Sequence, residues 1–309
     1  MSYIVIMSTR DGGSLLEATL SSLMSQTVLP KALSIVVDGG DIPSTLQIIK
    51  DNCRVPHVVV EHKGVKYARR DIRRMPENLN EAYNAGRDLA GSFDFLLITG
   101  DDCRYPPSYA ETLMRRMLEE SVVVASGICA FKGEPGRRMK SPMGSGRMIR
   151  HDYWLKVGAS FPVSYAWESW ILYRAMMDGE NIRLYGDLRF EHLHPFGRTH
   201  RSYHWGRARY LMGYSPLTVL GEVTLSLLGM ESTLSRVDWL RILTGYLTAP
   251  LYFKLTKDPY ANFPSEIREF VRETQLKNLK EKLRRLITTP SREEEKGRGR
   301  GSPYALESM

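Results

Sequence analysis

The sequence predicts an α/β protein with a mixed, mostly parallel sheet flanked by helices and a helical extension at its C-terminal end. Short apolar runs of strand character alternate with stretches whose apolar residues recur at helical spacing, the pattern of a parallel sheet with helical crossovers. Several of the strand runs stop abruptly in carboxylates and glycines, as at Asp38-Gly39-Gly40-Asp41 and Gly100-Asp101-Asp102. In open α/β sheets ligands sit beyond the carboxyl ends of the strands, so these stops are candidate sites.

The elements follow in order. Tyr3 to Met7 reads as a first buried strand, and Ser8-Thr9-Arg10-Asp11-Gly12-Gly13 as its loop. Ser14 with Glu17 has capping-box spacing, and Leu15, Leu16, Leu20, Leu23 and Met24 continue as a helix. Leu33 to Val37 is a second strand, Thr45 to Asp51 a short helix, and Val58 to Val60 a third strand. Asn78 to Ala90 is helical, Phe93 to Thr99 a fourth strand, Tyr109 to Glu120 helical, and Ser121 to Ser126 a further strand. Beyond residue 130 the texture changes. Lys132 to Gly146 is rich in glycine, proline and basic residues and reads as a loop. Tyr153 to Val157 and Ser169 to Met177 look helical, and Gly179 to Phe190 holds a turn and a short strand. His192 to Arg209 is basic, aromatic and expected to be flexible. Apolar helical segments fill Pro216 to Lys257, Ile267 to Leu286 is a charged amphipathic helix, and the polar tail is expected to be disordered. The expected organisation is a catalytic domain over 1–210, split into halves at 130, then a helical extension over 211–288 and a tail over 289–309.

Composition bounds the partners. The chain's 309 residues, 42% hydrophobic and 25% charged, suffice for one large domain or a domain with an appendage. A formal net charge of +8 favours anionic partners: phosphorylated substrates, an acidic membrane surface or nucleic acid. Three widely spaced cysteines give neither a disulfide framework nor zinc spacing and suit a reducing compartment. No charged leader precedes a long apolar run, so a cytoplasmic location is expected. Charges and Pro250 interrupt the segment from Pro216 to Phe253, short of the roughly 20 clean apolar residues of a spanning helix.

If the first, second and fourth strands are parallel, three loops share one edge: Ser8-Thr9-Arg10-Asp11, Asp38-Gly39-Gly40-Asp41 and Gly100-Asp101-Asp102. That edge suits a base or ribose at Asp38, a diphosphate, and a divalent cation. Adjacent carboxylates repel unless a cation or proton lies between them, and oxygen donors suit Mg²⁺ or Mn²⁺ with phosphates completing the shell. Neither GxGxxG nor GxxxxGK[ST] occurs, so metal and basic side chains must neutralise the phosphates.

These pieces, in this order, resemble the family 2 glycosyltransferases of the GT-A fold over residues 1 to about 210. The matching segments are Ile4-Val5-Ile6 through Leu20 with Ser25-Gln26-Thr27, Ile35-Val36-Val37-Asp38-Gly39-Gly40, Asn84 to Ala90, Ile98-Thr99-Gly100-Asp101-Asp102 with Pro106-Pro107, and Trp167-Glu168 with Arg174 and Gly179. The resemblance implies inverting, metal-dependent transfer of a sugar from a nucleotide-diphosphate sugar to an acceptor hydroxyl on a glycan, a polysaccharide or a polyprenyl-linked sugar. Ser8, Thr9, Arg10, Asp38, Arg69 and Asn78 then fall in nucleotide-sugar-binding positions, with Asp101 toward the diphosphate. Asp101, Asp102 and His192 are implied ligands of Mg²⁺ or Mn²⁺, with Asp102 ranked above Asp101 and His192 above His194. Many relatives read Asp-x-Asp-Asp where this chain has Thr99-Gly100-Asp101-Asp102, so one carboxylate is missing.

Inverting transfer needs a carboxylate to take the acceptor proton. Glu168 stands six residues before Arg174 in the family's position for that base, at a helix start that favours the anion. Arg198, His200, Arg201, His204, Arg207 and Arg209 are read as a lid over the diphosphate. The runs Lys63 to Arg74 and Arg137 to Arg150 are read as exposed basic surface or as capture sites for a diphosphate or lipid phosphate. Trp239, Tyr246, Tyr252, Phe253 and Lys254 suit peripheral binding to an anionic membrane surface, against a helical cap or a homodimer interface. The other functional classes are a sugar-nucleotide pyrophosphorylase-like nucleotidyltransferase and a basic nucleic-acid binder. No nucleic-acid-binding signature supports the latter, and no nucleic acid partner is expected.

Overall fold

The computed structural model describes residues 1–10, 12–62, 74–131, 141–194, 202–228 and 235–288. The elements are β1 (Tyr3–Thr9), α1 (Gly13–Met24), β2 (Ala32–Val37), α2 (Ile42–Asn52), β3 (His57–Glu61), α3 (Met75–Ala90), β4 (Phe95–Thr99), β5 (Cys103–Arg104), α4 (Tyr109–Glu119), β6 (Val122–Phe131), β7 (Arg147–Arg150), α5 (His151–Lys156), α6 (Trp167–Met177), β8 (Asn181–His192), α7 (Ser202–Leu211), α8 (Pro216–Leu227), α9 (Arg236–Thr256) and α10 (Ser265–Thr288). One mixed sheet runs β3-β2-β1-β4-β7-β6-β8-β5. Its first four strands are parallel, with Thr9 opposite Val37 and Met7 opposite Thr99, so β1, β2 and β4 end together on one edge. The other half is mixed: β7 is antiparallel to β4 and β6, β8 parallel to β6, and β5 antiparallel to β8.

Strand alternation builds two cores. Tyr3, Val5 and Met7 of β1 join Leu33, Ile35, Phe95 and Leu97 on the face covered by α1 and α4. Ile4, Ile6, Val36, Leu96 and Ile98 point the other way, toward α3 and α6. Both faces are covered, which is why β1, β2 and β4 are apolar over most of their length. The α10 helix docks on this second face with Ile267 and Val271, so the extension shares the sheet's core. The α7 and α9 helices cross with glycine against backbone: a Cβ on Gly206 would lie 2.0 Å from Ile242 O, and one on Gly245 2.2 Å from Tyr203 O. No described helix is long and apolar enough to cross a membrane.

Several boundaries differ from the sequence reading. The α1 helix starts at Gly13 without a side-chain cap, so Ser14 lies in its first turn and the capping box does not form. The α2 helix starts at Ile42, where Asp41 accepts from Ser44 N at 3.2 Å and Pro43 fits the first turn. The β8 strand is 12 residues, not a short one. The β7 strand emerges where the loop reading ended. The stretch from Ser202 to Arg209 is helix α7 rather than a flexible segment.

Candidate active site

At the shared edge the three strand-end loops are cross-linked. Asp38 N donates to Thr9 O at 2.8 Å, and Thr9 Oγ1 donates to Asp101 Oδ2 at 2.6 Å. Asn78 reaches back from α3, its Nδ2 donating to Ser8 Oγ at 2.9 Å. Among the described residues the buried Asn78 Oδ1 has no hydrogen-bond partner, leaving an acceptor at this edge. The Asp38 carboxylate is held by Arg74 Nη1 at 2.7 Å, with His62 Nδ1 at 3.3 Å. Arg74 Nη2 also donates to His62 Nδ1 at 3.1 Å, which leaves the His62 Nε2 proton for Glu81 Oε2 at 2.7 Å. Asp38 is thus a fixed acceptor, oriented by a cation behind it.

The second cluster lies around Asp102. The β5 strand pairs Cys103 with His192 of β8, bringing His192 Nε2 to 3.4 Å from Asp102 Oδ1. His192 Nδ1 donates to His194 O at 2.7 Å, so Nε2 presents its lone pair toward the carboxylate. Cys103 completes a triad whose donor atoms lie within 4.8 Å of one another. The thiol is nevertheless fully buried, and burial, followed by the charge of Asp102, pushes its pKa far up. A thiolate is a soft ligand, and Mg²⁺ or Mn²⁺ prefers oxygen donors, so Cys103 does not fit that role. Asp102 and His192 are both partly exposed, and one carboxylate with one imidazole suits a divalent ion that also takes phosphate oxygens and water.

Glu168, the second residue of α6, is exposed at the helix N-terminus. The loop Gly144-Ser145-Gly146 runs between it and Asp102. A Cβ on Gly144 would lie 2.0 Å from Glu168 Oε1, so only glycine leaves that carboxylate its place. A Cβ on Gly100 would lie 2.8 Å from Asp102 Oδ1 and 3.3 Å from Ser145 Oγ. Gly146 pins the loop to the end of β4, its N donating to Ile98 O at 2.9 Å and its O accepting from Tyr109 at 2.6 Å. Arg147 follows, 1% exposed, donating to Glu168 O at 2.6 Å and to Pro142 O at 2.9 Å. Burial pushes its pKa down to about 10 against the opposing pull of the Glu168 charge.

Comparison with known proteins bears on this arrangement. The family described as glycosyl transferase family 2 matches residues 4–177, more than half of the chain. The chain belongs to glycosyl transferase family 2. The fold agrees. The structure of S. aureus TarS 1-349 in complex with UDP-GlcNAc superposes with a TM-score of 0.54 at 14% identity, over 92% of this chain and 87% of that one. The mannosyltransferase PcManGT from Pyrobaculum calidifontis, in complex with GDP-Man and Mn²⁺, gives 0.51 at 13% identity, over 91% and 87%. No curated protein matches. Family membership makes the chain a glycosyltransferase of the GT-A fold and selects that reading over a nucleotidyltransferase or a nucleic-acid binder.

In this glycosyltransferase the structure gathers Ser8, Thr9, Asp38, Asn78 and Asp101 at one edge, sets Asp102 beside His192, and lays Glu168 across one loop from them. Arg10 follows β1 on the same edge. Arg69 and Arg198 lie outside the described residues, as do Asp11, Arg70, His200 and Arg201. Three basic groups read as surface or lid, Arg147, Arg207 and Arg209, are not, while Arg150 stays partly exposed. Arg147 is buried behind Glu168. Arg150 pairs with Asp152. Arg207 and Arg209 are consumed on α7: Arg207 lies over the Tyr252 ring at 3.4 Å and Arg209 pairs with Glu222 at 3.3 Å. His204, on the same helix, stacks on Tyr165. Arg174 pairs with Asp178 at 3.1 Å at the far end of α6. The sequence reading missed His62 and Glu81 and left Arg74 in a run read as surface or phosphate capture; no spacing signals their meeting at Asp38.

Proposed function

We propose that the chain transfers a sugar, with inversion, from a nucleotide-diphosphate sugar to an acceptor hydroxyl. The observation that carries this is the placement of Glu168 and Asp102 on either side of one pinned loop, beside the edge formed by Ser8, Thr9, Asp38 and Asn78. Asp38 and Asn78 offer acceptors to the base and ribose, with Arg74 fixing the Asp38 carboxylate. Asp102 and His192 would hold Mg²⁺ or Mn²⁺, with Asp101 oriented toward the diphosphate by Thr9. When bound, that ion supplies charge neutralisation for the departing diphosphate. Glu168 takes the proton from the acceptor oxygen as that oxygen bonds to the anomeric carbon and the bond to the diphosphate breaks. The acceptor enters from the 131–210 side, where α6 presents Glu168, and its class is a glycan, a polysaccharide or a polyprenyl-linked sugar. Support for the donor class comes from the neighbours, one bound to UDP-GlcNAc and the other to GDP-Man with Mn²⁺.

Calorimetry with UDP, GDP and TDP, each with and without Mn²⁺, tests the donor site. One nucleoside diphosphate is expected to bind, and more tightly with metal. Failure of all three in the presence of Mn²⁺ would remove the donor-site assignment.

A further inference from the structure

The α9 helix is apolar on two opposite faces. Trp239, Ile242, Gly245, Tyr246 and Ala249 are buried, mostly against α7 and α8. On the other side Val237, Leu240, Leu247, Leu251 and Leu255 are 48% to 72% exposed, with Thr244 and Thr248 between them. At the helical repeat these seven residues fall within an arc of about 100°, and the stripe is roughly 27 Å long. Arg236 and Lys254 lie on one flank and Arg241 on the other, all exposed. The neighbouring α8 adds Leu217 and Leu220, and Leu228 just after it, each exposed.

Charge selects the occupant. Among the described residues, α8 and α9 have no exposed carboxylate: Glu222 is half-buried on Arg209, and Asp238 is half-buried with Ser202 and Ser235, with the exposed Arg241 at 3.4 Å. A second copy packed stripe to stripe would set cations against cations with nothing exposed on these helices to receive them. An anionic headgroup layer receives all three while the acyl boundary takes the leucines. The helix is not apolar enough to cross a bilayer.

We propose that α9 lies along the surface of an anionic lipid bilayer, its Val237–Leu255 stripe in the acyl boundary and Arg236, Arg241 and Lys254 against headgroup phosphates. This is independent of the donor and catalytic assignments. The test is sedimentation of the full chain with vesicles of equal parts phosphatidylcholine and phosphatidylglycerol, and with phosphatidylcholine alone. Binding is expected to the mixed vesicles, to weaken on raising salt, and to be weak on neutral vesicles. The pair Leu247→Ser and Leu251→Ser, and separately Arg241→Glu with Lys254→Glu, are each expected to weaken binding about tenfold or more. Thermal unfolding and nucleoside diphosphate affinity should stay at parent values, which separates lost docking from lost folding. No binding to mixed vesicles at low salt, or full binding by the leucine variant, overturns the proposal. So does a dimer in light scattering that the leucine variant dissolves, since the stripe would then belong to a second copy.

Discussion

Replacing Arg147 with methionine removes a fully buried guanidinium while keeping most of its volume. Two opposing terms set the cost. Glu168 O and Pro142 O lose donors at 2.6 and 2.9 Å; Pro142 O is left buried at about 1–3 kcal/mol, while Glu168 O, inside α6, keeps its helical N–H and loses about 0.5–1.5 kcal/mol. Against this, the variant no longer holds a charge in the interior. Burial pushes the Arg147 pKa down to about 10, which corresponds to about 3 kcal/mol recovered. The net lies within about 1.5 kcal/mol of zero, or a few degrees in Tm either way. Catalysis should suffer more than stability. The carbonyl anchored by Arg147 belongs to Glu168 itself, and a base displaced by about 1 Å can lose up to a hundredfold in rate. The assay is slow hydrolysis of the donor that calorimetry selects, followed as nucleoside diphosphate release, beside differential scanning fluorimetry. Glu168→Gln sets the floor of turnover with donor affinity retained. Arg147→Met is expected to lower kcat about tenfold or more at unchanged donor affinity, and Arg147→Lys to fall between, since an ammonium cannot span both carbonyls as the fork does. A kcat within about twofold of the parent would refute positioning through Arg147. If Glu168→Gln itself turns over normally, the base assignment fails instead.

Gly144→Ala approaches the same carboxylate from the other side. Its Cβ would fall 2.0 Å from Glu168 Oε1, the far end of a flexible side chain, so melting should change little while turnover drops; parent-like turnover in the same hydrolysis assay would contradict the crowding. Asp102→Asn should weaken nucleoside diphosphate binding about tenfold or more in Mn²⁺ and leave binding in EDTA unaltered, as read by calorimetry. His151 donates to Phe93 O and accepts from Tyr83 OH, and burial lowers its pKa. Its neutral form is therefore favoured by folding, so its contribution is complete above the unfolded value of about 6.5 and is lost as pH falls toward the depressed folded value. Urea unfolding at neutral pH and at about pH 5.5 should show this loss in the parent and a smaller one in His151→Gln.

What the sequence made legible follows from which forces act locally. The β1, β2 and β4 strands were readable because burial on both faces makes them largely apolar, and their parallel pairing then placed Asp38 and Asp101-Asp102 on one edge. The β7 strand was not, because its four residues carry arginine at both ends. Arginine is rarely fully buried, so a reader assigns Arg147 to the surface; only the carbonyls of Glu168 and Pro142, distant or irregular in the chain, explain its burial. The α7 helix was hidden in the same way. Arg207 and Arg209 look solvated until Tyr252 and Glu222 arrive from other helices, and the small residues Gly206 and Ala208 were the available hint of close packing. The arrangement of His62, Arg74 and Glu81 around Asp38 depends on β3 and α3 meeting in space, which no local pattern encodes.

The missing carboxylate at position 99 has a physical reason in the same geometry. The side chain there falls on the face of β4 shared by Phe95 and Leu97, and it is 4% exposed. Thr99 Oγ1 shares a 2.7 Å hydrogen bond with Tyr105 OH and lies 2.9 Å from Gly100 O. Tyr105 in turn stacks on Phe190, so its ring is fixed. A carboxylate at 99 would sit among these rings with a carbonyl oxygen as neighbour, a burial costing several kcal/mol without a cation to pair it. Threonine keeps the strand end neutral on its inward side. Of the two carboxylates that remain, Asp101 accepts from Thr9, while Asp102 faces the His192 Nε2 lone pair at 3.4 Å. With the carboxylates so divided, the proposed metal assignment depends on the β5–β8 pairing, which sets His192 beside Asp102.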